Sequence, residues 1–250
     1  MQFSGEELAI VSGVFFFAAF VKGITGLGFS TTCLPFLVLA LGLKATLPLL
    51  IIPSLASNAI VMRDAGHFRE TLRRFWPLFL AALPGVAIGL WLLDTVDARV
   101  SAAVLGVVLV GYCLFALANP HLALPQALQR PLAPVAGLLT GLINGVTGSQ
   151  VMPVLPYLLS LKLDPNRFVQ AINCSFSLSS IVMAIGLSRL GLMTLEVAAL
   201  SMAGLVFVYA GVTLGNRARR ALKPNQFRIA VLVMLMAFGG SLVFRWLFAM

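Results

Sequence analysis

Gly23-Ile24-Thr25-Gly26 returns as Gly145-Val146-Thr147-Gly148, and each copy interrupts a long apolar stretch. Gly-interrupted hydrophobic segments at matching places in two halves are the sequence mark of a transporter built by duplication, with its binding site at the breaks. The rest of the chain is read outward from these two tetrapeptides.

The halves align beyond the motif. Leu43-Lys44-Ala45-Thr46 matches Leu163-Asp164-Pro165-Asn166, and Pro84-Gly85-Val86-Ala87-Ile88-Gly89 matches Ala210-Gly211-Val212-Thr213-Leu214-Gly215. The stretch from Asp97 to Phe115 matches Lys223 to Ser241. The offset drifts between 120 and 126 residues, so the repeats are diverged and carry small insertions.

Composition gives the class. The chain is 60% hydrophobic and 10% charged over 250 residues. A soluble domain of this length has no way to hide that much apolar surface. Charges and Pro/Gly breaks divide it into about ten apolar segments: 8–22, 27–43, 46–62, 75–93, 99–118, 132–146, 148–162, 167–188, 195–214 and 227–247. The first reads as a retained segment: Glu6 and Glu7 precede it where a signal peptide carries basic residues. The expected fold is therefore an all-α polytopic membrane protein of two five-segment repeats. Each repeat opens with a broken or re-entrant helix hairpin. Residues 1–118 form the first repeat, 119–131 a proline-rich inter-repeat loop, and 132–250 the second repeat.

Five segments per repeat is odd, so the second repeat enters the bilayer from the opposite face and the repeats are inverted. Loop charge agrees. Arg63, Arg69, Arg73, Arg74, Arg130, Lys162, Arg167, Arg217, Arg219, Arg220, Lys223 and Arg228 fall on one side. Lys44, Arg99, Arg189 and Arg245 fall on the other, and Lys22 sits at a hairpin tip. Basic loops stay cytoplasmic, which places both termini outside the cytoplasm of a multi-pass inner-membrane protein. The net charge of +9 is accounted for by these loops, so it does not point to nucleic acid.

The acidic residues Glu6, Glu7, Asp64, Glu70, Asp94, Asp97, Asp164 and Glu196 all lie in loops or at segment ends, as do His67 and His121. No intramembrane carboxylate offers a proton or sodium relay. Catalytic residues, metal ligands and cofactor motifs are not found, so the expectation is a protein that is not an enzyme and carries no cofactor. Cys33, Cys113 and Cys174 lie inside apolar runs without metal spacing and read as packing thiols.

What remains is neutral polar groups at the tips. Gly26-Leu27-Gly28 opens the second segment and Gly148-Ser149-Gln150 the seventh. A helix starting there aims free N–H groups and its positive dipole end at the break. Gly23, Gly26, Gly28, Gly145 and Gly148 let a ligand approach backbone, and Thr25, Asn144, Thr147, Ser149 and Gln150 add neutral donors. Lys22 adjoins the first tip, at the place Asn144 holds in the second; it either attracts an anion or snorkels to the interface. Ser54, Ser57 and Asn58 share one helical face, as do Gln170, Asn173 and Ser177. Asn58 and Asn173 complete the expected substrate set.

With tips reading Gly-Ile-Thr-Gly-Leu-Gly and Gly-Val-Thr-Gly-Ser-Gln, and with Pro35, Pro153 and Pro156 downstream, the sequence resembles the sulfite exporter TauE/SafE family, the toluene-sulfonate-uptake type permeases. Nearly the whole chain takes part, although family members show a denser Gly-x-Gly-Gly-Gly tip. The resemblance implies a permease for sulfite, an organosulfonate or a related small sulfur oxyanion, with export as the direction. A permease for another small organic anion and an anion channel are the alternatives. The implied partners are a small anionic substrate and the lipid bilayer; a homo-oligomer is compatible with the sequence.

Overall fold

The computed structural model describes residues 4–25, 28–118, 123–218 and 224–248. These form eleven helices: α1 Gly5–Thr25, α2 Phe29–Leu41, α3 Leu43–Ala65, α4 Phe68–Thr95, α5 Ala98–Ala118, α6 Gln126–Thr147, α7 Val154–Ser160, α8 Pro165–Arg189, α9 Leu195–Ala203, α10 Leu205–Ala218 and α11 Pro224–Phe248. Helices α9 and α10 are two pieces of one apolar span, Leu195–Ala218. With them joined, each of the ten segments read from the sequence falls on a helix.

Among the described residues, seven spans are long and apolar enough to cross a membrane. They are α1, α3, α4, α5, α8, the joined α9–α10, and Val231–Phe248 within α11. Helix α2 has 13 residues and α7 only 7, so they are about 20 and 10 Å long against a hydrocarbon core of about 30 Å. The two short helices are the ones that follow the repeated tetrapeptides. Helices α1 and α6 both end at the tetrapeptide threonine, Thr25 and Thr147.

Two expectations change. The stretch 119–131 is not all loop, because α6 already runs from Gln126 through Pro131 and Pro134. Each proline removes one intrahelical bond, a loss that is tolerable at the polar, exposed end of a helix. The seventh segment is helical only over Val154–Ser160, not from 148. Gly148 caps α6 in the left-handed conformation at φ 76°, and its N–H donates to Asn144 O at 2.7 Å. The chain then runs without helix to Pro153. The second tip is therefore a non-helical connection rather than a helix N-terminus.

Packing pairs helices across the sequence. The closest partners are α1 with α10, α4 with α6, α3 with α8 and α5 with α11. Glycines set the first two. A Cβ on Gly23 of α1 would lie 2.6 Å from Val212 O and 2.9 Å from Gly215 Cα of α10. A Cβ on Gly145 of α6 would lie 2.5 Å from Val86 O and 2.7 Å from Gly89 Cα of α4. Backbones this close gain dispersion contacts that apolar lipid cannot match, which is how membrane helices associate. Phe15, Leu34, Leu37, Leu49, Leu93 and Leu105 belong to the largest buried apolar cluster, which spans both halves of the chain.

Candidate functional site

The first tip carries the charge. Lys22, in the last turn of α1, is 3% exposed. Its ammonium donates to Ser57 Oγ at 3.0 Å and to Asn58 Oδ1 at 2.6 Å, both on α3. Ser57 Oγ in turn donates to Ser54 O at 3.0 Å, and Ser54 and Ser30 share a hydroxyl–hydroxyl bond of 2.5 Å. Lys22 takes part in none of the ion pairs seen among the described residues, which join Glu70 to His67 and Arg167, and Arg167 to Asp164. It is a buried cation held by neutral oxygens.

Helix geometry gives its depth. Helices α3 and α8 run antiparallel, with Met62 Sδ 3.5 Å from Cys174 Sγ. Asn58 lies about 22 Å along α3 from its start, and Asn173 about 12 Å along α8 from its start. The Lys22 site is thus well inside both helix ends. Snorkelling to an interface does not describe it.

Lys22, Gly28, Phe29, Ser30, Thr31 and Asn58 from the first half close one small cavity with Gln150, Asn173 and Phe176 from the second. The first turn of α2 forms part of the wall, and the first turn of a helix carries N–H groups without intrahelical partners and the positive end of its dipole. Gly28 makes the turn into α2 at φ 92°, a conformation that side chains resist. The space open to a water's centre is about 10 Å³, enough for about one water. A larger chamber of about 260 Å³ adjoins it and shares Gly28 and Thr31. That chamber is walled mainly by apolar side chains, among them Tyr112, Phe115, Leu155, Phe168 and Leu232.

The expected site residues divide into groups. Lys22, Gly28, Asn58, Gln150 and Asn173 meet at the cavity. Gly23 and Gly145 lie in the helix seams described above. Thr25 lines the larger chamber and donates to Val21 O at 2.9 Å. Thr147 donates to Ile143 O and accepts from Ser149 N, so it serves its own turn. Gly148 makes the bend. Asn144 and Ser149 are fully buried, and neither the Asn144 amide nor the Ser149 hydroxyl has a partner among the described residues. Gly26 lies outside the described residues. Gln150 donates to Ser180 Oγ at 2.9 Å, tying the second tip to α8.

Phe29, Ser30, Thr31 and Phe176 are cavity residues that were not expected. The signal for two of them was present as Ser30-Thr31-Thr32, three consecutive hydroxyls directly after the first tip.

The structure is thus a helical membrane protein with a water-sized cavity, lined by a buried lysine, between its halves. Residues 11–242 match the family described as Sulfite exporter TauE/SafE, and the chain belongs to that family. It is a multi-pass membrane protein of a transporter family rather than an enzyme family. Comparison with curated proteins and with solved structures finds no match for the chain.

Proposed function

We propose that the chain exports a small sulfur oxyanion, sulfite or an organosulfonate, across the inner membrane, and that the anion binds against Lys22 between the two halves. One observation carries this reading: Lys22 is buried in a cavity whose other polar groups are all neutral. Burying a charge without a counter-ion is costly, so the site favours arrival of the missing negative charge. The cavity's small volume favours a carrier that opens and closes over a continuous anion channel. Net export follows from the membrane potential, which drives a monoanion out of a negative interior by about 2.3 kcal/mol per 100 mV without a coupled ion.

The site is tested by Asn58→Asp. The new carboxylate would stand where Oδ1 now takes the Lys22 proton at 2.6 Å and would supply the counter-ion permanently. Reconstituted wild-type protein should exchange sulfite saturably, while this variant should stay folded and fall to background flux. Wild-type flux in the variant would remove Lys22 from the anion path.

The inverted duplication belongs to the same proposal. Its support is that one contact occurs twice, crosswise: Gly23 on Val212 and Gly215, and Gly145 on Val86 and Gly89. These are equivalent residues in the alignment of the halves. A pseudo-twofold relation between five-segment repeats produces such reciprocity, and it places the cavity where the repeats meet. With basic loops cytoplasmic, both termini face outward. A C-terminal alkaline phosphatase fusion should be active and a C-terminal fluorescent fusion that matures only in the cytoplasm should be dark; the reverse pattern would invert the assignment.

A further inference from the structure

The cavity around Lys22 contains a group that does not suit a simple anion. Asn173 is fully buried and lines it. Its Nδ2 donates to Val169 O at 2.8 Å, which fixes the amide, since turning it over would set two oxygens face to face. Its Oδ1 accepts from nothing among the described residues. A buried acceptor without a donor is unfavourable and rare in folded proteins. Donors around the cavity are the Lys22 ammonium and the hydroxyls of Ser30 and Thr31; of the other two amides, Asn58 Oδ1 already accepts from Lys22 and Gln150 Nε2 is taken by Ser180.

A fully ionised oxyanion presents only acceptors. It would satisfy the donors but leave Asn173 Oδ1 facing a second oxygen. A dianion would also leave one negative charge uncompensated beside a single ammonium. A protonated oxyanion such as hydrogensulfite has one charge for Lys22 and one O–H for Asn173. We propose that the species bound and carried is the protonated monoanion, its O–H donated to Asn173 Oδ1 and its charge set against Lys22. This rests on the oxyanion reading above and narrows it. The transported proton then rides on the substrate, and the protein needs no carboxylate relay; its acidic residues all lie in loops or at segment ends.

The titratable group that lines this space is Lys22 from α1; the nearest other is Cys174, beside Asn173 on α8, whose thiol lies against Met62 and Gln170. The α2, α3 and second-tip walls contribute Ser30, Thr31, Asn58 and Gln150, which do not titrate. The test must therefore separate protonation of the substrate from protonation of the protein. Methanesulfonate does so: it has one charge and no proton to give or lose over the working range. Binding of sulfite and of methanesulfonate to the purified full chain is measured across the second ionisation of sulfurous acid. Titration of Lys22 or Cys174 acts on both probes and cancels in their ratio. The Kd ratio, sulfite over methanesulfonate, should climb about tenfold per pH unit above that ionisation. In acid, Asn173→Leu should erase most of the preference for sulfite while methanesulfonate still binds.

A ratio that stays flat with pH overturns the inference and leaves the anion site standing. Absence of binding by either probe at any pH overturns the anion reading and this inference with it. Because the wild-type ratio decides the matter, the test survives a failure of Asn173→Leu to fold.

Discussion

Lys22→Gln should lose sulfite transport while leaving a folded protein in the membrane. Among the described residues the ammonium is the only charge at the cavity, and truncating one partner of a buried charge interaction costs about 2–5 kcal/mol. At about 1.4 kcal/mol per decade, that is roughly a 30- to 4000-fold loss of affinity. Stability should move the other way or hardly at all. In the empty protein the cation has only neutral partners, Ser57 and Asn58, so removing it relieves a desolvation cost. Glutamine can still donate to either oxygen. Lys44→Gln serves as the control: Lys44 begins α3, far from the cavity, and its loss should change flux by less than about twofold. Flux and melting temperature are measured on the same purified samples. If Lys22→Gln transports like wild type, or fails only by unfolding, the lysine is a structural group and the anion site lies elsewhere.

The second large effect is on folding. Gly89→Ala should destabilise the protein by about 3 kcal/mol, and Gly89→Leu should leave little folded material. The α4–α6 seam stacks Gly85 and Gly89 against Gly141 and Gly145, and the Cβ of Gly89 would sit 2.7 Å from Gly145 Cα. The obstacle is backbone, which has no rotamer to yield, so the helices must separate and lose dispersion contacts along the seam. Gly215→Ala should behave alike, because it meets Gly23 in the other seam. Gly111→Ala in α5 is the counter-case: nothing lies within 4 Å of its Cβ, and alanine is the better helix former by about 1 kcal/mol. Thermal unfolding in detergent separates the three. Equal melting of Gly89→Ala and Gly111→Ala would mean the seam is looser than described.

These seams show what a single sequence yields. Both breaks were legible because Gly-x-Thr-Gly returns at matching places in two apolar runs, and α1 and α6 do end at its threonine; its first glycine, Gly23 or Gly145, serves a packing seam. The likeness of Pro84–Gly89 to Ala210–Gly215 could also be read off the sequence. That each packs on the opening helix of the other half could not, because an apolar face specifies burial and not the partner that buries it. Ser57 and Asn58 could be placed on one face of α3 by their spacing. Their tie to Lys22 could not, since the lysine's depth depends on the tilt of α1 against α10. The second tip was misread as a helix start because Gly148-Ser149-Gln150 looks like its counterpart. The left-handed turn at Gly148 and the run of irregular backbone to Pro153 move the helix six residues on.

Synthesis imposes an order on this crosswise packing. Helix α1 is complete at Thr25, but its glycine partner α10 begins only at Leu205, about 180 residues later. At roughly 5–20 residues per second, α1 waits about 10–40 s for the surface it fits. Helix α6 meets an α4 that is already made, so the second seam can close as soon as α6 emerges. During the wait the Lys22 end of α1 is held by what the first half supplies, α2, α3 and the Cys113 and Ala116 face of α5, and the bond from Lys22 to Ser57 and Asn58 is an early polar tie, open to the young chain once Asn58 has emerged. The lysine proposed to receive the anion in the finished protein thus also steadies the nascent one.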